Sequence, residues 1–259
     1  MCVKKMKNQY FGDVNDFRKY GLLRAITRAA QLRLSVVWML TPDDGSADGK
    51  FTAYLEKPDA WRAHDPELFD GMRALMKSEA PRSVSLIEHT GLLPGAAYHS
   101  TVVPESAPDR DRWFQQVRAE MAGSNLVFFD PDNGIEIKSL PYGRRKSSKF
   151  VYWREIEEVW NAGSSMLIYQ HFIREKRERF VGRMLAALRE RAAGSFVEAF
   201  STAHVVFLLA LQPRHQHYHE PIVSTVRDRW GDQIVHWSLA DVQQIATADA
   251  GTATRSRRG

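Results

Sequence analysis

Apolar positions along the chain follow two alternating spacings. Phe17, Tyr20, Leu23 and Ile26 recur at the interval of one helical face and predict a helix over residues 16–30, capped by Asn15 or Asp16. Residues 34–40 then form a short, nearly continuous apolar run, the mark of a strand buried on both faces. The same two patterns succeed each other down the chain. Helices are predicted over residues 65–77, through Leu68, Met72 and Leu75, over 109–121, and around Trp153, Ile156, Val159 and Trp160. Another is predicted over 174–191, where Phe180, Val181, Met184, Leu185 and Leu188 share a face. Strands are predicted at 126–129 and 166–169, with a short one at 83–88. Residues 196–200 and 204–211 read as a closing antiparallel pair, and 234–237 as an edge strand. The stretch 91–108, rich in Gly and Pro, carries no readable period.

Strands alternating with helices imply an α/β fold with a mostly parallel sheet covered on both faces. Such sheets bind ligands beyond the carboxyl ends of their strands. Three loops thereby become candidate site walls: Thr41 to Gly45, Asp130 to Gly134, and Gln170 with His171. The 259 residues fit one α/β domain over 1–246, followed by a small, polar, basic tail over 247–259 that reads as disordered.

Composition narrows the class. Hydrophobic residues make up 44% and charged residues 26%, as in ordinary globular proteins. The single cysteine, Cys2, excludes a disulfide framework and suits a reducing compartment. No apolar run approaches the roughly 18 residues of a membrane span, and the basic start has no apolar stretch behind it, so no secretory signal is expected. A soluble, cytoplasmic protein without a membrane partner is the expectation. The net charge of +5 admits a polyanionic partner, nucleic acid above all.

The most informative segment is Asp130-Pro131-Asp132-Asn133-Gly134, which follows four apolar residues and so sits at a strand tip. Pro131 fixes its own φ, and Asp132, Asn133 and Gly134 favour a tight turn. Two carboxylates two positions apart at a strand's carboxyl end make a candidate catalytic group, with Pro131 and Asn133 between and beside them. Immediately after it comes a basic segment holding Lys138, Arg144, Arg145, Lys146 and Lys149, with Tyr142, Tyr152 and Trp153 interleaved. Cations mixed with aromatics suit phosphates and stacked bases; the alternative is a mobile, solvated loop. His171 is a candidate base or phosphate donor, although one His at a strand tip more often packs or caps. His215, His217 and His219 alternate, which would put them on one side of an extended chain, but a solvent-exposed loop is the plainer expectation. His204 reads as structural, and the 174–191 helix as a solvated face of mixed charge.

The Asp130-Pro131 loop in this setting resembles the Asp-Pro-Pro-Tyr motif of S-adenosylmethionine-dependent amino-methyltransferases, nearest the large-subunit ribosomal RNA adenine-N6 methyltransferases. Gly12, Asp16 and Lys19 resemble that family's opening segment before its first long helix, and Ser165 to Tyr169 with the basic helix behind it resembles its next strand-helix unit. The resemblance spans about half the chain and implies a Rossmann-like three-layer sandwich ending in an antiparallel strand pair. It further implies that Asp130 and the Pro131 carbonyl hold a target amine, that Thr41, Asp43, Asp44 and Gly45 meet the cofactor, and that Lys19, Tyr152, His171 and the basic segment hold nucleic acid. Asp132 stands where the family has its second Pro, and Asn133 where it has its stacking aromatic, so a ring would have to come from Tyr142, Tyr152 or Trp153. The glycine-rich cofactor loop is also altered, with Asp43, Asp44 and Asp48 set among Gly45 and Gly49.

Two other functions stay open at the level of sequence. Asp43, Asp44, Asp130 and Asp132 at neighbouring strand tips would suit a Mg²⁺-dependent nuclease or phosphohydrolase, with His171 or Lys138 assisting. A non-catalytic nucleic-acid-binding or partner-binding protein on a degenerate methyltransferase fold would keep the basic segment and not need Asp130.

Overall fold

The computed structural model describes residues 11–42, 51–78, 81–242 and 244. Its helices are α1 (Val14–Ala30), α2 (Pro58–Trp61), α3 (Pro66–Lys77), α4 (Ser85–Glu88), α5 (Ala107–Glu120), α6 (Trp153–Asn161), α7 (Arg177–Arg191) and α8 (His219–Trp230). Its strands are β1 (Leu34–Val37), β2 (Ala97–His99), β3 (Leu126–Phe129), β4 (Gly134–Ile135), β5 (Phe150–Val151), β6 (Ser165–His171), β7 (Phe196–Ser201), β8 (Val205–Leu211) and β9 (Val235–Ser238). Asp43, Asp44 and Gly45 lie outside the described residues, as do the basic start and the 247–259 tail.

Seven strands form one sheet in the order β2-β1-β3-β6-β8-β7-β9. β2, β1, β3 and β6 pair in parallel. β8 inserts antiparallel between β6 and β7, and β9 pairs antiparallel on β7. Five of the seven strands therefore run the same way, giving the mostly parallel α/β sheet with the expected antiparallel pair at its C-terminal side. β4 and β5 form a separate two-stranded parallel ribbon. Side chains on the central strands alternate between two cores. Val36, Leu126, Phe128 and Leu167 pack with α1, α3 and α8. Val37, Val127, Phe129, Met166 and Ile168 pack with α5, α6 and α7. That period of two explains why the central strands read as unbroken apolar runs, since both faces are covered. No described helix is long and apolar enough to cross a membrane.

The structure corrects several local expectations. The cap of α1 is Asp13, not Asn15 or Asp16: its Oδ1 accepts from the backbone N–H of Asn15 (2.8 Å) and Asp16 (2.9 Å). β1 stops at Val37 where Met39 takes the left-handed region (φ 47°), costing about 1 kcal/mol; the Trp38 N–H still bonds the His99 carbonyl of β2 at 3.2 Å, and Leu40 bridges Val102 beyond the break. Residues 85–88 form a helical turn rather than part of a strand. The unreadable 91–108 stretch holds the edge strand β2. The alternating histidines lie not on an extended chain but on a 3-10 turn, Pro213–Tyr218, running into α8. His215 is buried and pairs its Nδ1 with Ser165 Oγ at 2.8 Å, while His219 pairs with Glu198 at 2.6 Å, so they form no array.

Candidate functional site

The described parts of the three predicted loops converge: Thr41, Asp130 to Asn133, and His171 line one cavity. Beyond the carboxyl ends of β1, β3 and β6, next to the N-terminus of α1, lies a cavity of about 460 Å³. Thr41 Oγ1 donates to Asp132 Oδ2 at 2.9 Å, joining the β1 and β3 loops. The His171 N–H donates to the Asn133 carbonyl at 3.3 Å, joining the β3 and β6 ends. The cavity sits between β1 and β3, where successive strands are added on opposite sides of β1; this is the switch point at which doubly wound sheets bind ligands.

A buried side-chain amide holds the Asp130 loop in shape. Gln170 Oε1 accepts from the Ile135 N–H at 2.8 Å, and the Asn133 N–H reaches the Lys149 carbonyl at 2.9 Å. Gly134 takes φ 114°, and a Cβ there would fall 2.4 Å from Gln170 Oε1. Glycine is thus required twice over, by backbone conformation and by the close approach of Gln170.

At the base of the cavity one ammonium is shared by two carboxylates. Lys19 Nζ lies 2.8 Å from Asp16 Oδ1 and 2.8 Å from Asp130 Oδ2. Burial by itself would lower the Lys19 ammonium, but Asp130 and Asp16 outweigh it and hold the group well above its usual range. Lys19 is therefore held as an ammonium that ties α1 to the end of β3. Burial raises the Asp130 carboxyl, opposed by Lys19 and reinforced by Asp16 and Asp132. Asp13 is pushed up to about 6, chiefly by burial and then by the neighbouring Asp16. The His171 imidazole is lowered by burial, only partly offset by Asp132, and its Nε2 shares a 3.1 Å hydrogen bond with the Tyr169 hydroxyl.

Among the residues singled out in the sequence, Lys19, Thr41, Asp130, Pro131, Asp132, Asn133, Lys149 and His171 line this cavity. Lys138, Arg144, Arg145, Lys146 and Tyr152 do not. Nor do Tyr142 and Trp153, so none of the three rings proposed to replace the missing motif aromatic reaches the site. Tyr142 and Tyr152 instead meet edge to face, 5.0 Å apart, with the Arg110 guanidinium beside both. The 138–149 segment is also not a free loop. Arg110, fully buried, donates to the carbonyls of Ser147 (2.7 Å) and Phe150 (2.6 Å) and pairs with Glu155 at 2.7 Å.

The lining also includes residues beyond those expected from the sequence: Asp13, His204, and the rings of Phe11, Trp38, Phe51 and Tyr169. Asp13 carried a readable signal as an acidic residue just ahead of an apolar period; the rings carried none, since each sits in a segment whose apolar character already had a packing explanation. The described lining holds four carboxylates (Asp13, Asp16, Asp130, Asp132) against two ammonium groups (Lys19, Lys149). The Oδ1 of Asn15, itself a lining residue, is buried and has no hydrogen-bond partner among the described residues. Such a lining suits a ligand that brings hydrogen-bond donors and positive charge. Among the described residues no three His, Cys, Asp or Glu side chains are grouped to hold a metal ion. Comparison with known proteins finds no matching family model and no matching curated protein.

Proposed function

We propose that this protein is an S-adenosylmethionine-dependent amino-methyltransferase acting on nucleic acid, on a Rossmann-like sheet. The observation that carries the reading is the placement of Asp130-Pro131 at the switch point, inside a cavity whose carboxylates outnumber its cations. A phosphate-bearing ligand without a metal would be repelled there, whereas a ligand with an ammonium and a sulfonium group finds complementary charge. Bound in this cavity, the cofactor supplies an electrophilic methyl group. The chain's own contribution is to hold and orient. Asp13, Asp16 and the Asn15 carbonyl group would receive the cofactor's donors. Asp130, kept close to Lys19, would accept a hydrogen bond from the target amine together with the Pro131 carbonyl. The buried apolar wall formed by Phe11, Trp38 and Leu40 would keep water from the transfer.

The nucleic-acid part of the reading is supported by surface charge. Lys138, Arg144, Arg145 and Lys146 follow β3, and Arg174 and Arg179 follow β6; all six are exposed, and none pairs with a described acidic residue. Exposed cations on the segments that leave the same strand ends suit the phosphates on either side of a presented base. The Mg²⁺-dependent phosphohydrolase is less well served, because Asp132 is engaged by Thr41 and Lys149 and Asp130 by Lys19.

Calorimetric titration of the full chain with S-adenosylmethionine tests the proposal. Saturable binding is expected, weakened about tenfold or more in Asp16→Asn, which removes one of the cavity's charges. Binding of Mg²⁺ or Mn²⁺ with no binding of S-adenosylmethionine would transfer the assignment to phosphoester hydrolysis.

A further inference from the structure

At the fourth position of its motif, Asn133, the chain has no ring, and Tyr142, Tyr152 and Trp153 are held elsewhere. The cavity has rings of its own, but most are already committed. Phe11 is 1% exposed and Trp38 2%. Trp38 stacks on Tyr98 with centroids 6.2 Å apart and the Lys19 ammonium 5.3 Å from its ring. Tyr169 stands edge-on to both Phe207 and His171 and bonds His171 through its hydroxyl. Phe51 differs from all of these. It is 71% exposed, more than any other exposed large hydrophobic side chain described, and no described ring packs on it.

Its backbone, by contrast, is anchored. The Phe51 carbonyl accepts from the Val14 N–H at 3.0 Å, which fixes this residue at the N-terminus of α1 beside Asp13, Asn15 and Asp16. A benzyl group left in water forgoes the stabilisation that burial would give it. Fixing its main chain at the wall of a cavity while leaving its face open is the arrangement by which proteins stack planar rings.

We propose that Phe51 is the stacking face for a purine-like ring bound in the Asp130 cavity, taking the place of the aromatic side chain that the motif lacks at Asn133. The inference rests on the methyltransferase reading, which supplies two sources of such a ring: the adenine of the cofactor and the target base. Either would lie with one face on the Phe51 ring and its polar edge toward the carboxylates of α1 or toward Asp130.

The test is a set of calorimetric titrations of the full chain, as wild type, Phe51→Ala and Phe51→Trp. The two probes are S-adenosylhomocysteine, which carries the cofactor's adenine, and a short single-stranded oligoadenylate. Because the Phe51 ring packs on no described ring, Phe51→Ala is expected to melt like the wild type. One probe should bind Phe51→Ala at least about tenfold more weakly, with affinity restored by Phe51→Trp, as for one base stacked on one ring. Weakening of S-adenosylhomocysteine assigns the cofactor's ring to Phe51, and weakening of the oligonucleotide assigns the target base. If every probe that binds the wild type binds Phe51→Ala equally well, or if Phe51→Trp fails to restore affinity, the inference is overturned and the function proposed above stands. If the wild type binds neither probe, both fall together.

Discussion

Asp13 does two jobs that pull in opposite directions. As the cap of α1 it satisfies two N–H groups of the first turn, and as a wall residue it keeps a carboxylate where burial and Asp16 resist its ionisation. Its pKa of about 6, against 3.8 for the free side chain, means that the folded state binds the proton more tightly than the unfolded state. Stability therefore falls as pH rises from about 4 through 6, and above that window the full cost of the buried charge is present. Asn caps a helix about as well as Asp and carries no charge. Asp13→Asn should accordingly raise unfolding stability by about 1–3 kcal/mol at pH 8 and by little at pH 4. Urea denaturation at the two pH values measures the difference, and an equal effect at both would show that Asp13 is not held against its charge. The same substitution should weaken a cationic ligand, the usual trade of stability for a charged site. Asp130 was legible from its strand-tip position, but its partner was not, because nothing local in the sequence joins residue 19 to residue 130.

Among the elements, the central strands and most of the longer helices follow directly from their apolar periods. The pieces that escaped share a physical cause. β2 is three residues at a sheet edge with only His99 buried, so it has no apolar run to show. α8 begins among histidines and a proline, and its apolar positions Ile222, Val223 and Val226 were masked by that polar start. The β4-β5 ribbon is two residues wide and exists because Arg110, from α5, ties the segment after β3 to the sheet's flank. Arg110 and Glu155 are both buried, so removing one leaves an uncompensated charge, at a cost of about 3–5 kcal/mol. Arg110→Met should show that loss in a denaturation midpoint and should raise amide exchange across residues 138–149. The double variant Arg110→Met with Glu155→Leu should recover much of the stability but not the exchange protection, because the Ser147 and Phe150 carbonyls stay without their donor. Full protection in the double variant would mean that the ribbon, not Arg110, holds the segment.

At the scale of the whole molecule, the sheet separates charge by depth. The cavity beyond β1 and β3 is lined by more carboxylates than cations, while the segments that leave β3 and β6 carry exposed cations outside it. On the proposed function, a polyanion would be drawn by these exposed cations and turned away from the inner carboxylates, leaving its backbone outside the cavity and admitting only a neutral, donor-bearing group to it. That division has a consequence in salt. If phosphates touch these cations alone, the slope of log affinity against log salt counts them, at about 0.7 per contact for a single strand. Replacing Arg144 and Arg145 together by Ala should lower the slope by about 1.4 for a single-stranded oligonucleotide. Asp130→Asn, inside the cavity, should leave the slope unchanged while altering what the cavity accepts. Fluorescence-anisotropy titrations over a range of salt concentrations distinguish these effects. An unchanged slope in the Arg144 and Arg145 variant would remove these two arginines from the phosphate path, leaving Lys138, Lys146 and the cations after β6 to account for any nucleic-acid binding.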